Sequence, residues 1–407
     1  MNAGSNPARH TTRPPTAVLT NGANVVPTDT SPASAYTPAA GRTEWEAIAP
    51  TAAGFDPQKL KDAIGFAEAS DNPWPRSFYY PDGRYVGIVE WNETGPWSEI
   101  SGIVRERGGP AGTILKGGRI VAEWGDTARP DVTFSCAKSY LSTLAGIAIG
   151  DGLIASVDDR VGASVRTGHF DGPHNSQITW RHLLTQASEW DGVLWEKSDQ
   201  VDHHRHPGGP ENNQRKGELR QRQTPGTYYE YNDVRVNLLA FALLQRFGRA
   251  LPDVLRERIM DPIGASQDWE WHGYSTSWVE IGGKRVQSVS GGSHWGGGLF
   301  IPTRDHARVG LMVARGGRWG DRQVLPAGWM AQSLVPSATN EGYGFLWWLN
   351  RGTRAYPSAP EDSFFALGAG GNRIWVAPSL DLVTVVRWMD TNKVDAFCGR
   401  LMAAVKA

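Results

Sequence analysis

One stretch limits the fold more than any other: Thr133-Phe134-Ser135-Cys136-Ala137-Lys138-Ser139-Tyr140-Leu141-Ser142, which runs on through Leu144, Ala145, Ile147, Ala148 and Ile149. A helix that is apolar on nearly every face has to lie at the centre of a large core. Gly150-Asp151-Gly152 ends it. At its start, Ser135 and Lys138 are spaced to project from one face a turn apart. A serine hydroxyl is a weak nucleophile at neutral pH and needs a neighbouring base as it attacks. In a first helical turn the unpaired N–H groups and the positive dipole end favour developing negative charge. A lysine held against an apolar helix has a tunable proton affinity. The pair is chemically sufficient to begin acyl transfer. The same spacing also fits an ordinary helix start, with Ser135 as cap and Lys138 reaching for solvent, so the order of the surrounding segments has to decide.

With 407 residues the chain can bury a sizeable core as one large domain or two moderate ones. A net charge of −1 gives no reason to expect a nucleic-acid or membrane-surface partner. No window reaches a membrane-spanning length of apolar residues, and the N-terminus lacks a basic-then-apolar export signal. The expected location is therefore cytoplasmic. Only two cysteines occur, Cys136 and Cys398, one of them beside the candidate nucleophile, which argues against a structural disulfide. Eighteen tryptophans, two of them in Gly342-Tyr343-Gly344-Phe345-Leu346-Trp347-Trp348, read mainly as core packing, with a few lining a pocket.

Residues 1–43, rich in Pro, Ala, Thr, Asn and Gly without periodicity, read as a disordered or draped arm. A helix is expected over 55–69, with Asp56-Pro57 as its cap and first-turn pair. The aromatic-rich connection 72–110 is too long for a simple loop and is read as a wall of the site. Lys116-Gly117-Gly118-Arg119 predicts a hairpin that delivers the chain to Ser135. Further helices are expected over 178–185, 234–247, 303–312 and 395–405, and strands over 364–367, 373–376 and 382–386. The polar stretch 188–224, containing His203-His204-Arg205-His206 and a basic run, reads as a solvated, mobile rim loop. It lacks helical metal-ligand spacing, so no metal is expected there. The segment 290–298 superficially resembles a Gly-x-Ser-x-Gly nucleophile elbow, but Trp295 stands in the final glycine position.

Taken in order, Phe134-Ser135-Cys136-Ala137-Lys138, then Thr179-Trp180-Arg181-His182-Leu183-Leu184-Thr185, then Pro225-Gly226 through Tyr231, and finally Ala366-Leu367-Gly368-Ala369, this set resembles the serine β-lactamase and penicillin-binding protein superfamily. The likeness is to its class C-like branch of carboxylesterases, D,D-peptidases and 6-aminohexanoate-dimer hydrolases, and it spans about 109–386. It implies an α+β, β-lactamase/transpeptidase-like fold, with an antiparallel sheet built from both terminal segments (44–150 and 330–407), flanked by helices, and a mostly helical inserted region at 151–329. It also implies a serine hydrolase acting on a small-molecule ester or amide without a metal or other cofactor. Ser135 is its nucleophile; Tyr231, as phenolate or hydrogen-bonded phenol beside Lys138, is its proton acceptor; the N–H groups of Ser135 and Ala369 form the oxyanion hole, with Asp233 and Gly368 in support. Alternatives within the superfamily are an oligomer amidase, a β-lactamase or a D,D-peptidase; outside catalysis, the alternative is a binding protein on the same fold. Two departures matter. Asp233 stands where a neutral amide is usual, and opposite charge would then keep Lys138 protonated. The last motif carries no cation for a substrate carboxylate.

Overall fold

The computed structural model describes residues 36–93, 95–206, 210–352 and 354–406, which fall within one compact unit; most of the expected N-terminal arm lies outside them. Its framework is a six-stranded antiparallel sheet in the order Trp348–Leu349, Phe364–Gly368, Asn372–Ala377, Leu382–Arg387, Ala111–Lys116, Arg119–Trp124. The first and last thirds of the chain meet where Ala111–Lys116 pairs with Leu382–Arg387. The hairpin turn forms as expected: Gly117 and Gly118 both have positive φ, 60° and 82°, the two-residue geometry that matches strand twist. A side chain at Gly118 would strike the Tyr36 carbonyl, because residue 36 drapes over the turn and donates its N–H to the Gly117 carbonyl at 3.1 Å.

Each face of the sheet has its own core. On one face lie the helices Pro57–Ala69 and Val394–Ala404, packed around Phe55, Leu60, Trp124, Phe365, Trp375, Phe397 and Leu401. The first begins where Asp56 accepts the Gln58 and Lys59 N–H groups, two residues later than Phe55, which forms an isolated bridge to Val405 instead. Against the other face pack Thr303–Ala314 and the helix Cys136–Gly150. The latter is buried from Cys136 to Ala148, as its all-round apolarity requires, and its partner is Asp233–Phe247, also buried over most of its length.

Three fasteners hold the turn at Ser135. Buried Arg387 donates to the carbonyls of Asp131, Val132 and Ile301 and to Asn372 Oδ1, all within 2.6–3.0 Å. It thereby ties the main sheet to a small three-stranded sheet, Asp131–Val132, Gly298–Ile301 and Glu270–His272. His306 bridges Thr133 Oγ1 (2.7 Å) and the Tyr140 hydroxyl (2.8 Å), clamping both sides of the nucleophile. The third is steric. A Cβ at Gly368 would lie 2.1 Å from the Thr133 carbonyl oxygen, so the end of strand Phe364–Gly368 rests directly on this turn.

The connection 72–110 folds over the same turn. Trp74, Phe78, Trp91 and Trp388 surround Phe134 with ring centroids 5.7–6.3 Å away, mostly edge-to-face. That cage has a use, since Phe134 takes a left-handed φ of 48°, a strained conformation for a bulky residue that persists only where surrounding packing dictates it.

Candidate active site

Ser135 is the N-cap of the central helix, yet its side chain makes no capping bond. Its Oγ instead lies 2.7 Å from Lys138 Nζ. The bland reading of the motif therefore fails on both counts, because Lys138 does not snorkel but is buried with only 2% of its side chain exposed. Ser135 is among the groups that favour ionisation of the Tyr231 phenol, and Lys138 Nζ sits 4.8 Å from the centre of the Tyr231 ring. Tyr231 is fixed from behind by Trp348 and Tyr343, at 5.6 and 6.4 Å. Ala369, just past the strand that abuts Thr133, packs in the Phe134 cluster and opens a 3-10 turn. Among the described residues the Ser135 N–H donates to no carbonyl. The first amides of such turns are not consumed internally, which leaves those of Ser135 and Ala369 suited to a developing oxyanion.

Asp233 reaches Lys138. Its Oδ1 forms a buried ion pair with Nζ, while Asn232 turns away to cap the following helix and to donate to the Asp199 carbonyl. The carboxylate does pull the lysine toward its charged form, but burial outweighs it and lowers the proton affinity of Lys138. Burial also pushes the Tyr231 phenol up, and Asp233 adds to the push. Burial thus disfavours a phenolate at Tyr231 and works against the charge that Asp233 holds on Lys138.

Around this pair lies a set of residues that sequence reasoning missed. Arg205 Nη1 donates to Asp233 Oδ2 at 2.6 Å and to Asp202 Oδ2 at 3.1 Å. His294 Nδ1 is 3.0 Å from the same Asp233 oxygen, and its Nε2 bonds with Glu93. Lys216 pairs with Glu93 at 2.8 Å and Asp202 at 3.5 Å. Burial would raise the Asp233 carboxyl, but the Arg205 and Lys138 charges hold it well below the usual range. Burial opposes a charged His294, yet Glu93 and Asp202 outweigh it and raise its pKa. The segment 290–298 is no elbow. Its glycines allow it to wrap the ion pair, since a Cβ at Gly292 would lie 2.5 Å from Asp233 Oδ1 and 2.9 Å from Lys138 Nζ. The signal available in the sequence was Asp233 itself, because a carboxylate buried beside one lysine still needs donors for its remaining lone pairs.

Asp202, Asp233 and His294 are the group of described residues whose spacing most suits a metal ion, with ligand atoms within 4.8 Å of one another. Those oxygens already face Lys138, Arg205 and Lys216, so the donor set fits an ion-pair network better than a cation site. The expected solvated loop at 188–224 is likewise corrected. Its Asp199, Asp202, His203 and Lys216 are buried, and Arg235 ties Glu189 (2.8 Å), Asp199 (3.0 Å) and Glu230 (3.2 Å) into a second lattice that Arg220 and Arg222 extend. Charged side chains pack inward here because they neutralise one another.

A serine, a buried lysine and a tyrosine converging beneath a sheet edge define a serine-hydrolase architecture. The family model described as Beta-lactamase matches residues 104–406, and the chain belongs to that family of serine hydrolases. Among solved structures it is similar to a penicillin-binding protein homologue from Caulobacter crescentus (13% identity, TM-score 0.55, covering 86% of this chain and 99% of that one). It is also similar to a family VIII carboxylesterase (16%, 0.54, 86% and 97%) and to a candidate 6-aminohexanoate-dimer hydrolase from Bacillus anthracis (14%, 0.53, 83% and 87%). These likenesses support the α+β fold. No curated protein sequence matches this chain. Among the described residues no helix is long and apolar enough to cross a membrane.

Proposed function

We propose that the chain hydrolyses a neutral carboxylic ester or amide through an acyl-enzyme on Ser135. The observation that carries this reading is the 2.7 Å approach of Lys138 Nζ to a serine hydroxyl that is not spent on helix capping. The Lys138 amine takes the Ser135 proton as Oγ attacks the carbonyl carbon. The amides of Ser135 and Ala369 bind the oxyanion. As the bond to the leaving group breaks, the proton passes through the Tyr231 phenol to the departing oxygen or nitrogen. Water then attacks the acyl carbon, gives its proton to the same base, and frees the acid and Ser135. A cytoplasmic setting suits the two buried free thiols.

Preference for a neutral substrate is supported by charge. Ala366-Leu367-Gly368-Ala369 brings no side-chain cation, and Arg205, the loop arginine that reaches Tyr231, is committed to Asp233 and Asp202. The test is kcat/KM for a neutral p-nitrophenyl ester against a penicillin, with the ester expected to lead by at least about 10²-fold, roughly the worth of one missing charge-assisted contact. Comparable values would mean that a cation is available and would remove the preference for neutral substrates.

A further inference from the structure

Asp233 divides its two oxygens between opposite tasks. Oδ1 faces Lys138, while Oδ2 takes Arg205 at 2.6 Å and His294 at 3.0 Å. Arg205 comes from the 188–224 loop, His294 from the glycine-rich segment, and the Glu93 that holds the far side of His294 comes from the 72–110 connection. Three separate parts of the chain thus converge on one carboxylate, and all of these side chains are at least nine-tenths buried. In so dry a setting a carboxylate that faced Lys138 alone would hold the ammonium charged and unable to accept a proton. Two cationic donors on its other oxygen divide that field.

We propose that Arg205 and His294 are positioning residues that act on Lys138 through Asp233, keeping the lysine able to serve as the base of the reaction. This rests on the acyl-enzyme reading above. Arg205 also stacks 5.2 Å from the Tyr231 ring centre, so its charge falls on both partners of Ser135. The groups facing His294 are Glu93, Asp202, Asp233 and Arg205, with Trp295 stacked on its ring at 4.1 Å and Trp91 edge-on at 5.0 Å.

The sign follows from charge. In Arg205→Gln the Asp233 field on Lys138 is less compensated and the direct repulsion between Arg205 and Lys138 is gone, so Lys138 binds its proton more tightly. The experiment is the pH profile of kcat/KM for a neutral ester with the full chain, in the wild type, Arg205→Gln, Arg205→Lys, and each in the Asp233→Asn background. The acidic limb is expected to move up by about one pH unit or more in Arg205→Gln, a tenfold change in proton affinity. It should return toward the wild-type position in Arg205→Lys and move less when Asp233→Asn is already present. A turning-over Arg205→Gln enzyme whose limb stays in place overturns the proposal, as does an equal shift in both backgrounds, because a structural loss lowers the amplitude without moving the limb. Should Arg205→Gln not fold, Arg205→Lys against His294→Gln gives the same comparison, with only His294→Gln expected to raise the limb. A wild type with no Ser135-dependent turnover overturns the acyl-enzyme reading and this proposal with it, an outcome distinct from the first two.

Discussion

Lys138 is pulled three ways: burial and Arg205 lower its proton affinity, and Asp233 raises it. Its balance is local, so small displacements should matter. Gly292→Ala puts a methyl group against both Asp233 Oδ1 and Lys138 Nζ at a residue whose φ is not positive, which makes steric displacement the main effect. A shift of about 1 Å in a catalytic group can cost 10²-fold, so kcat should fall by about that much; a kcat within twofold of wild type would show that Lys138 tolerates displacement. Lys138→Ala and Tyr231→Phe should each cost at least about 10²-fold in kcat. Because both serve one proton path from Ser135, the double variant should be little worse than either alone. Fully multiplicative losses would separate their roles. That Ser135, Lys138 and Tyr231 come together was legible in the sequence from spacing and order. Their electrostatic environment was not, because Arg205, His294 and Glu93 come from segments whose courses no local pattern dictates.

At the scale of elements, the helices and the hairpin announced themselves through periodicity, caps and the Gly117-Gly118 turn, whereas the 188–224 loop did not. Its polar composition reads as solvated until Arg235 is seen to join Glu189, Asp199 and Glu230 away from water. Within that lattice burial would raise Glu189, but bonds from Arg220 and the charge of Arg235 hold it down at about 2, against an ordinary value of 4.5. A carboxyl lowered in the folded state contributes stability that is fully present above its unfolded value and is lost as pH falls through the folded one. Chemical denaturation should therefore show stability little changed by these carboxylates from pH 7 to 5 and falling between about 4.5 and 2. Stability that rises on acidification through that window would contradict the lattice. Arg235→Ala, which takes one shared cation from three buried carboxylates, should cost about 3–5 kcal/mol at pH 7. A second element carries its own prediction: Gly368→Ala drives a methyl group into the Thr133 carbonyl, so it should lower both Tm and kcat by pushing the Ala369 amide away from the nucleophile turn. Loss of neither would mean that the strand end can move without consequence.

Across the whole molecule, the sheet, the central helix and the aromatic cage all bear on one strained turn, Thr133-Phe134-Ser135. The antiparallel framework was legible because its strands are short, mostly apolar runs bounded by turn residues. The small sheet at 131–132, 270–272 and 298–301 was not, being made of two- to four-residue strands too short to show a period. The central claim, that this architecture exists to acylate Ser135, is tested most directly by treating the full chain with a fluorophosphonate and locating the adduct by mass spectrometry. A single adduct on Ser135 is expected, absent from a folded Ser135→Ala variant that has also lost turnover. An adduct on another residue, or undiminished turnover in Ser135→Ala, would contradict it.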